Sequence, residues 1–356
     1  MYDINKSQKS LQRHTTFCSL PFTKCILNSW GEVSMCCHQT IQLGKLDESN
    51  SILDIWNNEI AREIRKETTN GRLHKVCCSW NSCPFLVEAK KDFTFLAHQN
   101  FEYPIYLEIC LPDKHCNVGG EKPSDNNPAC IMCRRNFHTP DQQDLTEFLC
   151  EKSKPIMPHL RYFCVLGIAE PFWKDAVFKI MDKIEFEKHK ERVTFITNTN
   201  GICLNEKTIN NFFERTKKSD LSWSLDAATP ETHLKIRRLD TFELVVSNLK
   251  NWIKLRKNFG GNLYHKACIY NNINMINVHE MVKMVELAAE TQVDKMIMLP
   301  THDQTGIVNL GEIILNKKNV NIFKKESEAA MQRAKDLKVN LHYSKRFDIV
   351  PPPVQS

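Results

Sequence analysis

The stretch from Tyr103 to Arg135, YPIYLEICLPDKHCNVGGEKPSDNNPACIMCRR, contains four cysteines, of which Cys116, Cys130 and Cys133 form one loop motif. Its first residues, up to Ile109, alternate apolar and polar side chains, a pattern typical of a β-strand. The loop therefore follows the carboxyl end of a strand, where α/β folds place ligand and catalytic groups. Cys116, Cys130 and Cys133 supply three thiolates there. Such a set predicts a metal site, either an iron-sulfur cluster or a structural zinc ion.

The composition indicates a soluble protein with a large buried core. The chain has 356 residues, of which 42% are hydrophobic, and this is enough for one large domain and a smaller one. The first residues are polar, and no apolar run approaches the roughly 20 residues that a membrane span needs. We therefore expect a cytoplasmic protein with no membrane partner.

Cysteine content favours a metal-binding protein, and the charge gives no support to a nucleic-acid-binding one. Fifteen cysteines without a secretion signal favour metal ligands over a disulfide scaffold. The formal net charge of +6 is mild, and basic residues alternate with acids on predicted helices, which is typical of a solvated surface. No aromatic and basic platform for stacking bases stands out, so we do not expect a nucleic-acid partner.

Strands and helices alternate from Tyr103 onward. Amphipathic segments such as 208–215 and 279–289 separate candidate strands. This order predicts an α/β fold in which a parallel sheet with right-handed crossovers forms a partial (β/α)6 barrel of the TIM type. The predicted strands are 105–109, 161–166, 193–197, 221–225, 264–270 and 295–299.

A small cysteine-rich domain of the hairpin-plus-helix kind is predicted before the barrel. A turn around Gly31 separates two short apolar runs, which predicts a β-hairpin. One amphipathic helix follows, with Ser51 or Asn50 as its N-cap. The predicted organisation is a flexible terminus at 1–16, this domain at 17–86, a helical connector at 87–102, the barrel at 103–345 and a flexible tail at 346–356.

The three-cysteine loop resembles that of the radical SAM superfamily, whose signature is a strand followed by C-x3-C-x2-C, often with Asn after the first Cys. Cys116-Asn117 and Cys130-x2-Cys133 match its two ends, but thirteen residues stand where the family has three. The insert is rich in Gly, Pro, Asn and Ser, which is typical of a looped-out excursion, and lengthening a loop costs little closure entropy. The resemblance implies a [4Fe-4S] cluster with one iron open to S-adenosylmethionine.

Further segments at predicted strand ends resemble the same family, in the same order. GIAEPF (167–172) is similar to its Gly-Gly-Glu-Pro element, TNTNG (197–201) to its Thr-Asn-Gly turn, and SWSLDAATPETHLKIRR (222–238) to its Ser-x-Asp segment ending in Arg. YNNINMINVHEMVKMVELAAETQVDKMIML (270–299) resembles its fifth strand, Asn turn, helix and sixth strand. The resemblance implies cofactor contacts from Ala169, Glu170, Asn198, Asn200, Ser224, Asp226 and Arg237, with Arg238 as the alternative to Arg237.

Ordinary structural roles are the alternatives for these residues. Ile168 and Ala169 replace both glycines of the family's element, which alters how closely the backbone can approach a ligand. Glu170 is a possible helix cap, Asn198 and Asn200 are possible turn formers, and Arg237 is a possible surface residue.

The cysteine-rich domain resembles the Twitch or SPASM auxiliary-cluster domain. The resemblance rests on cysteines that flank the hairpin, an LGKL segment, an Ile-Trp-Asn helix and a final cysteine group. It implies an auxiliary iron-sulfur cluster, although most family members place this domain after the barrel and a structural zinc site is the alternative. The implied ligands are Cys18, Cys36, Cys78 and Cys83, with Cys37 and Cys77 as adjacent substitutes.

Two more cysteines need separate treatment. Cys25 lies within the first hairpin strand and is expected to be a small buried hydrophobe. Cys110 precedes Cys116 by six positions and is an alternative ligand or a hydrogen-atom donor.

Together these resemblances imply a radical SAM enzyme that reductively cleaves S-adenosylmethionine and takes a hydrogen atom from a peptide or protein side chain. Its implied partner is an electron donor such as flavodoxin or ferredoxin. One alternative is a non-catalytic zinc or iron-sulfur protein that uses the barrel as a scaffold. Another is the same radical chemistry on a nucleotide or sugar.

Overall fold

The computed structural model describes residues 16–36, 41–70, 74–75, 87–88, 102–136, 143–301, 313–315 and 319–343. The chain divides into two compact units, the first formed by residues 1–110 with 145–163 and the second by residues 111–144 with 164–356. The domain bounds expected from the sequence stay a prediction. No helix among the described residues is long and apolar enough to span a bilayer.

The described strands are β1 (Thr16–Phe17), β2 (Lys24–Leu27), β3 (Glu32–Ser34), β4 (Gln42–Lys45), β5 (Val87–Glu88), β6 (Tyr106–Leu111), β7 (Tyr162–Gly167), β8 (Thr194–Thr199), β9 (Lys218–Ser224), β10 (His265–Ile273), β11 (Lys295–Pro300) and β12 (Leu341–Tyr343). The described α-helices are α1 (Leu20–Thr23), α2 (Ile52–Trp56), α3 (Glu59–Thr69), α4 (Thr146–Ser153), α5 (Ala176–Lys183), α6 (Glu206–Arg215), α7 (Pro230–Arg237), α8 (Phe242–Leu255), α9 (Met281–Thr291) and α10 (Val320–Leu337).

The predicted hairpin of the first unit is confirmed. β2 and β3 pair antiparallel, β4 continues the sheet beyond β3, and β6 pairs parallel to β2 on the other side. The Asn28 side chain closes the turn, since its Oδ1 accepts the backbone N–H groups of Trp30 at 3.1 Å and Glu32 at 2.9 Å. Gly31 takes the left-handed conformation that this turn requires, with a φ of +82°.

The single helix expected after the hairpin is wrong, because the structure has two helices there. Ser51 caps the first, α2, as predicted, with a reciprocal capping box to Asp54. Asn58 then interrupts the helical run: its Oδ1 accepts the Ala61 N–H at 2.9 Å and its Nδ2 donates to the Leu43 carbonyl at 2.7 Å. An asparagine that bonds its neighbouring backbone favours a new N-cap over a continuous helix.

Part of the expected helical connector is also wrong. Val87 and Glu88 form strand β5, which pairs antiparallel with β1. Thr16, expected in the flexible terminus, is the first residue of β1. Residues 89–101, 1–15 and 344–356 lie outside the described residues, so the rest of the connector, the terminus and the tail stay predictions.

The second unit is built on parallel strands. β8, β9, β10, β11 and β12 pair in that order, all parallel, and β7 lies beside β8. Every strand expected from the sequence is present, β12 was not foreseen, and the described strands leave the sheet open rather than closed. This confirms the α/β class and the partial barrel of the TIM type.

Aromatic side chains fill the core under this sheet. Phe212 of α6 contacts Phe195 of β8 with ring centroids 5.5 Å apart, and Phe213 contacts Trp252 of α8 at 4.4 Å. All four are buried, together with Trp223 of β9. The alternation of buried and accessible residues along β9 shows that one face of this strand packs on the helices.

The loop after β8 depends on glycine at position 201. Gly201 has a φ of +80°, and a Cβ there would lie 2.7 Å from the ring of Trp223. Gly261 has a φ of +69°, but a Cβ there would lie in open space. A substitution at Gly261 therefore adds backbone strain without a steric clash and serves as the control.

We predict that Gly201→Ala lowers the free energy of unfolding by about 2–4 kcal/mol, because left-handed strain and overpacking add. Gly261→Ala should cost only about 1 kcal/mol, from strain alone. Urea denaturation of both variants measures the difference, and equal losses would show that the Trp223 ring yields freely.

Candidate metal centre

The inserted segment 118–129 folds into a compact hairpin. Near its tip, Ser124 and Asn127 exchange backbone hydrogen bonds of 3.1 and 3.0 Å. At its base, Gly119 has a φ of +79°, and a Cβ there would lie 2.8 Å from the backbone nitrogen of Ala129. Only glycine lets the two ends of the insert approach this closely.

The closed hairpin returns Cys130 to Cys116. The Asn136 side chain holds its end, since Oδ1 accepts the Ala129 N–H at 3.1 Å and Nδ2 donates to the Cys130 carbonyl at 2.7 Å. The Cys133 N–H donates to the Cys130 carbonyl at 2.9 Å, which forms a tight turn. Cys130 also lies close enough to raise the pKa of Cys116 and of Cys133 electrostatically. The structure thus brings Cys130 and Cys133 back to the start of the insert, next to the segment that contains Cys116, despite their spacing.

The grouped thiols suit an iron-sulfur cluster. Burial raises the pKa of Cys116 to about 12 and raises that of Cys133, so burial favours the protonated thiols in the metal-free protein, and a bound metal would stabilise the thiolates. Among the described residues, no three His, Cys, Asp or Glu side chains converge on one point where a single metal ion would bind. In a cluster each thiolate binds a different iron, so its ligands surround it without converging. Ligation itself stays a prediction.

Glu170 joins the loops that follow β6, β7 and β8. Its carboxylate is only 1% exposed, and it accepts hydrogen bonds from the Thr199 hydroxyl at 2.8 Å and the backbone N–H groups of Asn200 at 2.6 Å and Phe172 at 3.2 Å. Its own N–H donates to the His115 carbonyl at 2.7 Å. The carboxylate therefore holds the loops together, and a direct contact with a cofactor stays a prediction.

The predicted asparagines differ in their surroundings. Asn200 Nδ2 donates to Asn117 Oδ1 at 2.7 Å, which connects the loop after β8 to the residue that follows Cys116. Asn198 lies exposed on β8, on the face turned away from the core. Ala169 is partly exposed in the loop before Glu170. Cofactor contacts of Asn198 and Ala169 stay predictions.

Ser224, Asp226 and Arg237 meet beside Cys130. Arg237 forms a buried ion pair with Asp226, and its Nη2 donates to the Ser224 carbonyl at 2.7 Å. Its Nη1 lies 3.6 Å from Cys130 Sγ. Arg238 is exposed and left-handed at the end of α7, so Arg237 is the arginine that the structure brings to the thiols.

Sequence reasoning missed Glu280, a buried carboxylate that is 2% exposed. It accepts hydrogen bonds from the Ala228 N–H at 2.8 Å and from the hydroxyls of Thr229 at 2.6 Å and Thr232 at 2.8 Å. These groups begin α7, the helix that carries Arg237. Since its partners lie about fifty residues away in the sequence, Glu280 looked like any acid at the start of a helix.

The auxiliary cysteines are described only in part. Cys18 follows β1 and Cys36 follows β3, whereas Cys37, Cys77, Cys78 and Cys83 lie outside the described residues. Cys25 is fully buried, and burial raises its pKa to about 12, which agrees with the role of a small hydrophobe. Cys110 lies on β6 with its Sγ 3.7 Å from Glu108 Oε1.

The buried Glu170 predicts a pH dependence of stability. Burial raises its pKa from 4.5 to about 7, although its hydrogen bonds oppose the shift. The folded state therefore favours the protonated acid, and the stability that it contributes is complete below pH 4.5 and is lost as the pH rises through 7. We expect a loss of about 3 kcal/mol across this window in the metal-free protein.

Glu170→Gln should remove this part of the pH dependence, as measured by urea denaturation at a series of pH values. Glu121→Gln is the matched control, because Glu121 is exposed and pairs with Lys174. The prediction is wrong if Glu170→Gln and the unmodified protein lose stability in parallel between pH 5 and 7.5.

Comparisons with known proteins bear on both parts of the chain. The family model of the SPASM iron-sulfur cluster-binding domain matches residues 18–84. A comparison with curated proteins finds no match by sequence. The solved structure of SuiB from Streptococcus suis bound to its precursor peptide SuiA has a TM-score of 0.50 at 15% identity, covering 92% of this chain and 72% of that chain.

Two further structures are similar at lower scores. SuiB from Streptococcus suis bound to S-adenosylmethionine has a TM-score of 0.48 at 15% identity, covering 90% of this chain and 70% of that chain. The structure of anSMEcpe with bound AdoMet and the Cp18Cys peptide has a TM-score of 0.47 at 16% identity, covering 67% of this chain and 63% of that chain. Residues 18–84 thus match the SPASM iron-sulfur cluster-binding domain model, and the chain shares its fold with SuiB.

Proposed function

We propose that the protein is a radical SAM enzyme whose Cys116, Cys130 and Cys133 hold a [4Fe-4S] cluster with one iron open to S-adenosylmethionine. The observation that carries this proposal is the close approach of Gly119 to Ala129, which returns Cys130 to the start of the insert that follows Cys116. Three thiolate ligands on a four-iron cluster leave one coordination position for a cofactor. The SPASM match and the fold support the same class of enzyme.

The chain's own residues prepare the site for this chemistry. When bound and reduced, the cluster would supply the electron that cleaves S-adenosylmethionine and yields a radical able to take a hydrogen atom from the substrate. Arg237 presents a buried positive charge beside Cys130, fixed in place by Asp226. Such a cation suits the carboxylate of a bound amino acid. Asn200 and Glu170 keep the neighbouring loops in register.

A peptide or protein side chain is the proposed substrate. SuiB, whose fold this chain shares over most of its length, was solved with a precursor peptide. The proposed reaction consumes one electron per cleavage event, so an electron donor such as flavodoxin or ferredoxin is the proposed partner.

The SPASM domain is proposed to hold one auxiliary cluster. A ligand set of Cys18, Cys36, Cys78 and Cys83 supplies four thiolates, which saturate a cluster. Cys36 follows β3 of the hairpin, and Cys18 follows β1, which pairs with β5. A saturated cluster suits electron relay rather than cofactor binding.

We predict that Cys130→Ala abolishes cleavage of S-adenosylmethionine. The protein is reconstituted anaerobically with iron and sulfide, reduced with dithionite and assayed for 5′-deoxyadenosine. Loss of one ligand should bring the product to background, whereas Cys150→Ala, which changes a buried cysteine of α4, should retain activity within about twofold.

Three results would contradict the proposal in different ways. Surviving cleavage in Cys130→Ala makes the ligand assignment wrong and points to Cys110. Zinc in place of iron, or no 5′-deoxyadenosine from the unmodified protein, supports the non-catalytic scaffold instead. Hydrogen abstraction from a nucleotide or sugar would keep the enzyme class and replace the peptide substrate.

We predict separately that Cys36→Ala lowers the iron content by about four per chain, the content of one cubane. The electron paramagnetic resonance signal that responds to S-adenosylmethionine should remain, because the auxiliary ligands belong to a different site. Cys25→Ala is the control and should leave the iron content unchanged. If Cys37→Ala loses the iron while Cys36→Ala keeps it, the ligand assignment moves by one residue.

A further inference from the structure

Arg135 ties the insert to the end of the three-cysteine loop. Its side chain is buried, with 2% exposed. Nη1 donates to the Val118 carbonyl at 2.9 Å, and Nη2 donates to the Gly120 carbonyl. The two bonds hold the start of the insert on either side of Gly119. A planar guanidinium can make both bonds at once, which the single ammonium of lysine cannot do with the same geometry.

The charge of Arg135 is not balanced by a carboxylate. Within the part of the chain that the structure describes, no Asp or Glu forms an ion pair with it, and its buried Nε has no hydrogen-bond partner. Burying a cation without a counter-charge is costly. Neutral carbonyl oxygens only partly offset that cost.

The cysteines of the loop, beside the buried carboxylates Asp113 and Glu170, are the groups near Arg135 that a bound cluster would make negative. Arg135 follows Cys133 by two residues, and its Nη1 bonds the carbonyl of Val118, which follows Cys116 by two residues, so its charge lies close to both cysteines. Three thiolates outweigh the positive charge of an oxidised cluster core, and reduction adds a further electron. A bound cluster would therefore supply the negative charge that Arg135 lacks.

We propose that Arg135 is a positioning residue that locks the inserted hairpin so that Cys130 reaches the cluster, and that its charge stabilises the reduced cluster. The proposal rests on the proposed function for its second half only. Locking of the hairpin is a property of the protein without metal. The role of Arg135 is tied to the long spacing between Cys116 and Cys130, because both of its hydrogen-bond acceptors belong to the insert.

Two variants separate geometry from charge. Arg135→Met removes both, and Arg135→Lys keeps the charge but loses one of the two bonds. Arg192→Met is the matched control, since Arg192 is exposed and its guanidinium contacts His189. Far-UV circular dichroism and thermal melting of the metal-free proteins show whether each variant is folded.

Amide hydrogen exchange of the metal-free proteins tests the lock. We expect the backbone amides of Asn127 and Ala129 to exchange at least tenfold faster in both Arg135 variants, and unchanged in Arg192→Met. Exchange at the unmodified rate in Arg135→Met overturns the locking role. This readout does not need a cluster, so it stands even if the unmodified protein binds none and the proposed function fails.

Potentiometric titration followed by electron paramagnetic resonance tests the charge. The signal that responds to S-adenosylmethionine isolates the open cluster from the auxiliary one. In Arg135→Met we expect at least half of this signal to be lost, and the remainder to be reduced about tenfold less favourably, a shift of about 59 mV to more negative potential. Arg135→Lys should lose signal but keep its potential, and an unshifted potential in Arg135→Met overturns the electrostatic role.

Discussion

A buried ion pair between Asp226 and Arg237 is the interaction on which the candidate site depends. Asp226 is fully buried, and its second oxygen accepts the Asn272 N–H of β10 at 2.8 Å. Removing either partner would leave an uncompensated buried charge, which costs about 3–5 kcal/mol. The pair therefore fixes the end of α7, and with it the guanidinium beside Cys130, against the carboxyl ends of β9 and β10.

Two more buried carboxylates follow the same logic. Glu170 gathers donors from the loops after β7 and β8, and Glu280 gathers the donors that begin α7. Each acid lies in a low-dielectric environment, where an unsatisfied hydrogen-bond donor or acceptor would lower the free energy of unfolding. The loops that carry the candidate ligands are thus held by polar bonds, while the aromatic core under the sheet supplies the bulk of the burial.

The alternation of strands and helices could be predicted because the apolar pattern of each strand lies within its own short sequence, as in Tyr103–Ile109. The break at Asn58 could not, because its effect depends on the Leu43 carbonyl that the fold places beside it. For the same reason Glu280 was missed, and β12, only three residues long, carries too short a pattern to detect. Predictions failed where the partner is remote in sequence.

The sequence by itself determined the parallel fold, the three-cysteine loop and the segments at the strand ends, since local pattern and residue chemistry suffice for each. Only the tertiary structure decided that Cys130 returns to Cys116, because this depends on the close approach of Gly119 to Ala129 and on the bonds of Asn136. It also selected Arg237 over Arg238, since burial and a counter-charge separate two identical side chains. Distances between segments remote in sequence are set by packing, which no local pattern records.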